Sequence, residues 1–150
     1  MKKRFAFLPI LLFVNLVSLG QQYSNLSFSP AQPKPGDKIH FEYSNKGTVL
    51  GNESSFDAIA YISDGQVRAQ EITLKTEGDK WIGNIVTNDS TKVVFLVFKK
   101  DELIDNNKEQ GYSLMLFTGG EPVKGEYIAE ADFINGYGSF LMQLKSDPAQ

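Results

Sequence analysis

From residue 23 onward the chain alternates apolar and polar side chains in short blocks. Leu26 and Phe28 share one phase until Pro30 interrupts them, and Ile39, Phe41 and Tyr43 oppose His40 and Glu42. Residues two apart on an extended strand face the same way, so this pattern predicts half-buried strands. Further blocks at residues 56–62, 67–74, 81–87 and 112–117 read the same way. Residues 92–99 differ, because Val93-Val94-Phe95-Leu96-Val97-Phe98 is apolar without a break. That run predicts a central strand covered on both faces.

The punctuation fits. Pro30, Pro33 and Pro35 lack an amide donor, which excludes helix or central strand and leaves an extended crossover closed by Gly36-Asp37. Asp64-Gly65 is a tight-hairpin pair, and Ser44 to Gly47, Glu77-Gly78-Asp79 and Asp105-Asn106-Asn107 read as turns or loops. Residues 50–55 read as a polar loop. About seven short strands spaced in this way predict an all-β fold, an immunoglobulin-like β-sandwich with short C-terminal helices. A small barrel fits the same pattern.

The period changes after Gly119-Gly120. Tyr127, Ile128, Ala131 and Ile134 fall at helical spacing, as do Tyr137, Phe140, Leu141 and Leu144, with Gly136 and Gly138 interrupting. One or two short helices are expected, with an apolar face in need of cover. Ser146-Asp147-Pro148-Ala149 then resembles a helix start, a capping side chain followed by proline. The expected organisation is a signal peptide at 1–20, a sandwich at 21–119, and a helical segment at 120–150 that opens a further domain.

The N-terminus supports the first of these. Lys2, Lys3 and Arg4 precede an apolar run over residues 5–19 that Pro9, Asn15 and Ser18 break, and Ser18-Leu19-Gly20 places small residues where a signal peptidase reads. The run falls short of the roughly 20 apolar residues of a membrane span, so cleavage after Gly20 is expected rather than a retained anchor. The protein is then periplasmic or extracellular, with no stable membrane insertion after cleavage. Removing three of the 15 basic residues leaves 12 against 18 acidic ones, a net charge of −6. That balance argues against nucleic acid or an anionic membrane surface as a partner. The absence of cysteine rules out disulfides, thiol chemistry and a lipid-modified N-terminal Cys.

Three segments together resemble a known family: Ser29 to Ile39 (SPAQPKPGDKI), Glu77 to Gly83 (EGDKWIG), and the Asp105-Asn106-Asn107 loop leading to Gly111-Tyr112. They are similar to the N-terminal immunoglobulin-like domain that precedes the redox domain in exported bacterial thioredoxin-like proteins of the TlpA type. The resemblance covers roughly residues 23 to 150 and rests on turns and strand edges. It implies a placement or spacer module followed by further helices and a redox domain. The family's Cys-x-x-Cys pair is missing here, so no redox residue carries over.

Candidate chemistry is sparse. His40 is the single histidine and stands on the polar phase of its strand, with no second His and no Cys to complete a metal site. Asp101, Asp105, Asn107 and Glu109 alternate like a calcium loop, yet counting from Asp105 places Gln110 at position six and Leu116 at position twelve. An EF-hand needs Gly and Glu there. Trp81, Tyr112, Asn106 and Asn107 form the candidate ligand set, because sugar rings stack on aromatic faces and bond to amides; core packing is the competing role for the aromatics. Asn25, Asn52 and Asn88 head glycosylation-type triplets that read as ordinary loop residues. Glu126 and Glu130 read as a solvated helix face rather than a hydrolase pair. No catalytic residue, metal site or cofactor is expected. The expected function is a non-catalytic structural or interaction module whose partner is another protein or a downstream domain. A carbohydrate-binding, starch-binding-like module is the alternative.

Overall fold

A computed structural model describes residues 23–145. The expected signal peptide and the Ser146-Asp147-Pro148-Ala149 signal both lie outside the described residues. The chain forms an all-β sandwich of two antiparallel sheets with a helical layer laid on one of them. Sheet A has the order β1 (Leu26–Ser29), β2 (Lys38–Tyr43), β6 (Lys80–Val86), β5 (Lys75–Glu77). Sheet B has the order β4 (Val67–Ile72), β3 (Asp57–Ser63), β7 (Val93–Lys100), β8 (Leu103–Asp105), and β9 (Tyr112–Met115) also pairs with β7. A short hairpin, β10 (Phe117–Thr118) and β11 (Glu121–Pro122), leads to the helices.

Every expected strand exists. The extra ones are two or three residues long, too short to show a period: β5, β8, β10 and β11. Asp64-Gly65 turns β3 into β4, with Gly65 at φ +100°. Residues 50–55 depart from the expected polar loop, because Leu50 is fully buried at the edge of the core.

The expectation for the apolar run over Val93–Phe98 is met with a definite division of labour. Val94, Leu96 and Phe98 point into the core between the sheets, where Ile39, Phe41, Tyr43 and Ile85 meet them. Val93, Phe95 and Val97 point the other way, into a second core shared with Ile59 and Tyr61 of β3 and with Phe133, Met142 and Leu144 of the C-terminal segment. Alternation along β3 and β7 therefore feeds two apolar layers at once. Phe133 stacks on Phe95 with ring centroids 4.0 Å apart, which pins the helices to sheet B.

The helical layer consists of α1 (Glu126–Phe133), a π-helical turn over Ile134–Gly138, and α2 (Ser139–Met142). Its expected apolar face packs only in part: Leu144 is buried in the second core and Ile134 and Leu141 pack against it, whereas the other large members turn outward. Tyr127, Ile128, Tyr137 and Phe140 are exposed at 64, 67, 49 and 86%. The face turned to the sandwich is Glu126, Ala129, Glu130 and Phe133, spaced i, i+3, i+4, i+7. The π turn inserts about one residue into the 3.6-residue period, so positions counted across it lose their phase. No helix among the described residues is long and apolar enough to cross a membrane.

Candidate functional site

One end of the sandwich gathers a network of buried polar groups around Asp105 and Asn106. The segment before β1, the loop after β2 and the loop between β8 and β9 meet there around a cavity of ≈ 550 Å³. Asn25, Thr48, Asp105, Asn107, Lys108 and Gln110 are among its lining residues. Asp105 ends β8 opposite Phe98 and is buried, 7% exposed. The Tyr43 hydroxyl donates to its Oδ2, as does the Tyr112 hydroxyl at 3.1 Å. The Asn107 backbone N–H donates to Oδ1 at 3.2 Å, and Asn25 Nδ2 donates to the Tyr112 oxygen at 2.7 Å. Burial, and then the adjoining Asp105 carboxylate, raise both tyrosine pKa values. Both phenols therefore stay protonated at neutral pH and act as donors. A buried carboxylate is tolerable only with such donors or a cation, and here neutral donors do the work.

The loop behind the cavity is strained and held from the other side. Asn107, Lys108 and Glu109 are consecutive left-handed residues, with φ of 55, 55 and 70°. Such residues cost on the order of 1 kcal/mol each and persist only where neighbours fix them. Asn106 supplies part of the fixing: its amide donates to the carbonyls of Met142 (2.7 Å) and Gln143 (3.2 Å), and its Oδ1 accepts from Glu109 N–H at 2.9 Å. Lys145 N–H donates to the Glu109 carbonyl, and its ammonium pairs with the Glu109 carboxylate. The end of the helical segment thus clasps the loop.

The four candidate ligand residues separate on this geometry. Asn106 and Asn107 line the cavity, but the Asn106 side chain is spent on the clasp, and the Asn107 amide donates to the Gly111 carbonyl at 3.1 Å. Tyr112 lines it as well, 1% exposed and with its hydroxyl turned to Asp105, so it offers no stacking face. Trp81 is elsewhere: it pairs with Tyr43 across β2 and β6 and packs on Phe56, with ring centroids 4.7 Å apart. His40 sits on β2 between Ser29 and Asn84. Asn25, expected as an ordinary loop residue, is central to the network. Its distance from Asp105 along the chain hides the pairing.

A second polar locus lies under α1. The expectation of a solvated Glu126–Glu130 face is overturned. Glu126 is fully buried, and among the described residues neither of its carboxylate oxygens has a hydrogen-bond partner. Burial, and then the charge of Glu130, push its pKa up to about 7. Glu130 accepts a hydrogen bond from Ser113 Oγ at 2.8 Å. The Tyr23 hydroxyl closes the same sheet edge, accepting from Ser113 N–H at 2.8 Å and donating to the Ser113 carbonyl at 2.9 Å. Among the described residues no three His, Cys, Asp or Glu side chains converge on a point where a metal could sit. Compared with known proteins, the chain matches no family model and no curated sequence.

Proposed function

We propose that this chain is a non-catalytic structural and interaction module of an exported protein, with the helical layer as the face it offers. The observation that carries this reading is the outward set Tyr127, Ile128, Tyr137 and Phe140. Four large apolar side chains left in water on one short layer give a partner apolar area to bury. The polar chemistry of the cavity, by contrast, is directed inward to hold the fold. The two-sheet antiparallel arrangement is compatible with an immunoglobulin-like domain, and the TlpA-type resemblance supplies the occupant: helices that follow the sandwich in the same polypeptide and lead to a redox domain. Hydroxyl-radical footprinting of the natural full-length protein tests this against the chain ending at Gln150. Tyr137 and Phe140 should be protected only in the longer polypeptide. Equal labelling in both, or a natural stop codon after Gln150, removes the reading.

The carbohydrate alternative rests on the ≈ 550 Å³ cavity, whose size suits one or two sugar units. Trp81 fluorescence would not report binding there. Backbone amide shifts of Asn107 and Gln110 against soluble α-glucan would, and unchanged shifts at millimolar glucan end that reading.

A further inference from the structure

We propose that Glu126 is a pH-sensitive latch: while its carboxylic acid is neutral the first turn of α1 stays packed against the sandwich, and its ionisation releases that turn. The geometry carries this. Glu126 is 0% exposed, and among the described residues both of its oxygens lack any partner. A carboxylic acid tolerates such a place far better than a carboxylate, which needs donors or a cation once water is gone.

The charged and titratable groups around the start of α1 do not compensate an ion there. Glu130, one turn along the same helix, is a like charge that opposes ionisation. Lys92, at the entrance to β7, brings its Nζ to 3.4 Å from where a side chain on Gly125 would begin, yet it forms no ion pair among the described residues. The Tyr23 phenol, before β1, is engaged with Ser113 and adds no charge. The positive end of the helix favours the ion, but burial outweighs it, and the acid titrates near neutrality instead of near its usual 4.5. Tyr127 and Ile128 follow directly in sequence, so release of this turn moves two of the outward apolar side chains with it. The latch does not depend on what that outer face contacts.

The test is amide hydrogen exchange on the full chain between pH 5 and pH 8.5, corrected for the intrinsic pH dependence. Protection of Ala129 and Glu130 should fall at least ~10-fold with rising pH, since one pKa unit of displacement is a factor of ten. In E126Q, which has no charge to gain, protection should stay level over the same range. Equal protection at both pH values in the unsubstituted chain overturns the proposal, and so does the same fall in E126Q. Should E126Q fail to fold, carboxyl-carbon NMR of the unsubstituted protein decides: a Glu126 midpoint near 7 supports the latch, and one below 5 overturns it.

Discussion

Asn106 shows how much one buried amide can hold. It satisfies two carbonyls at the end of the helical segment and one N–H in the left-handed turn, all from a position 7% exposed. Asn106→Ala strands all three, and each buried polar group left without a partner costs about 1–3 kcal/mol. Thermal unfolding should register a loss of at least ~2 kcal/mol. Exchange at Gly111, whose N–H donates to the Asn106 carbonyl, should rise by more than the global change. Gly83 shows the opposite kind of constraint, set by space and not by polarity. A Cβ there would stand 2.6 Å from the Phe41 ring across the β2–β6 pair and 2.6 Å from Ile72 Cγ2. The ring cannot retreat, because Phe41 is fully buried among the core rings. Gly83→Ala should therefore cost about 1–3 kcal/mol by urea unfolding, despite the better strand propensity of alanine. Neither role could be read from the sequence. A glycine in a strand and an asparagine in a loop look the same whether or not a distant side chain presses on them.

At the scale of elements, alternation is legible, helical phase only in part. The strands around Phe41 and Ile59 follow from period two because each is six or seven residues long, long enough to repeat. The apolar run of β7 also announced that both of its faces are covered. Ile134, Leu141 and Leu144 pack as their spacing predicts. In α1, however, hydrophobicity assigns the buried face to Tyr127 and Ile128, while packing assigns it to Phe133 and, unexpectedly, to Glu126. Two substitutions separate the faces. Phe133→Ala removes a ring stacked on Phe95 and should destabilise by about 3–5 kcal/mol. Phe140→Ser, at a residue 86% exposed, should change stability by no more than ~0.5 kcal/mol. Chemical denaturation of both checks this: similar losses would mean that Phe140 anchors the layer as much as Phe133 does. The polar network at the cavity was half legible. Asp105, Asn106, Asn107 and Tyr112 stood out as a cluster in sequence, whereas Tyr43, Asn25 and the Met142–Lys145 clasp enter only through the fold.

Across the whole molecule, these groups set how stability follows pH. Glu126 has a folded pKa raised from 4.5 to about 7, so the folded state holds a proton that the unfolded chain has lost. Its contribution is complete below about pH 4.5 and is lost progressively as pH rises through about 7. Asp64 works in the opposite sense. Its pKa is lowered, with burial opposed by the Arg68 and Asn88 hydrogen bonds that prevail, so its contribution is present above its usual 3.8 and is lost as pH falls through the folded value. Glu42 and Asp79, paired with Lys80 and Lys46 on the surface, share that direction with little weight. Tyr43 and Tyr112 are raised above 10.0, so the unfolded state releases their protons first and stability falls as pH climbs beyond 10. The expected profile has its maximum near pH 5, declines to neutrality, levels off, and drops again above pH 10. Urea unfolding at intervals of one pH unit would trace it, with E126Q expected to erase the decline between pH 5 and 8 alone. A profile that instead rises steadily from pH 5 to 8 would mean that Glu126 reaches water, and that the helical layer does not seal the sandwich where the structure places it.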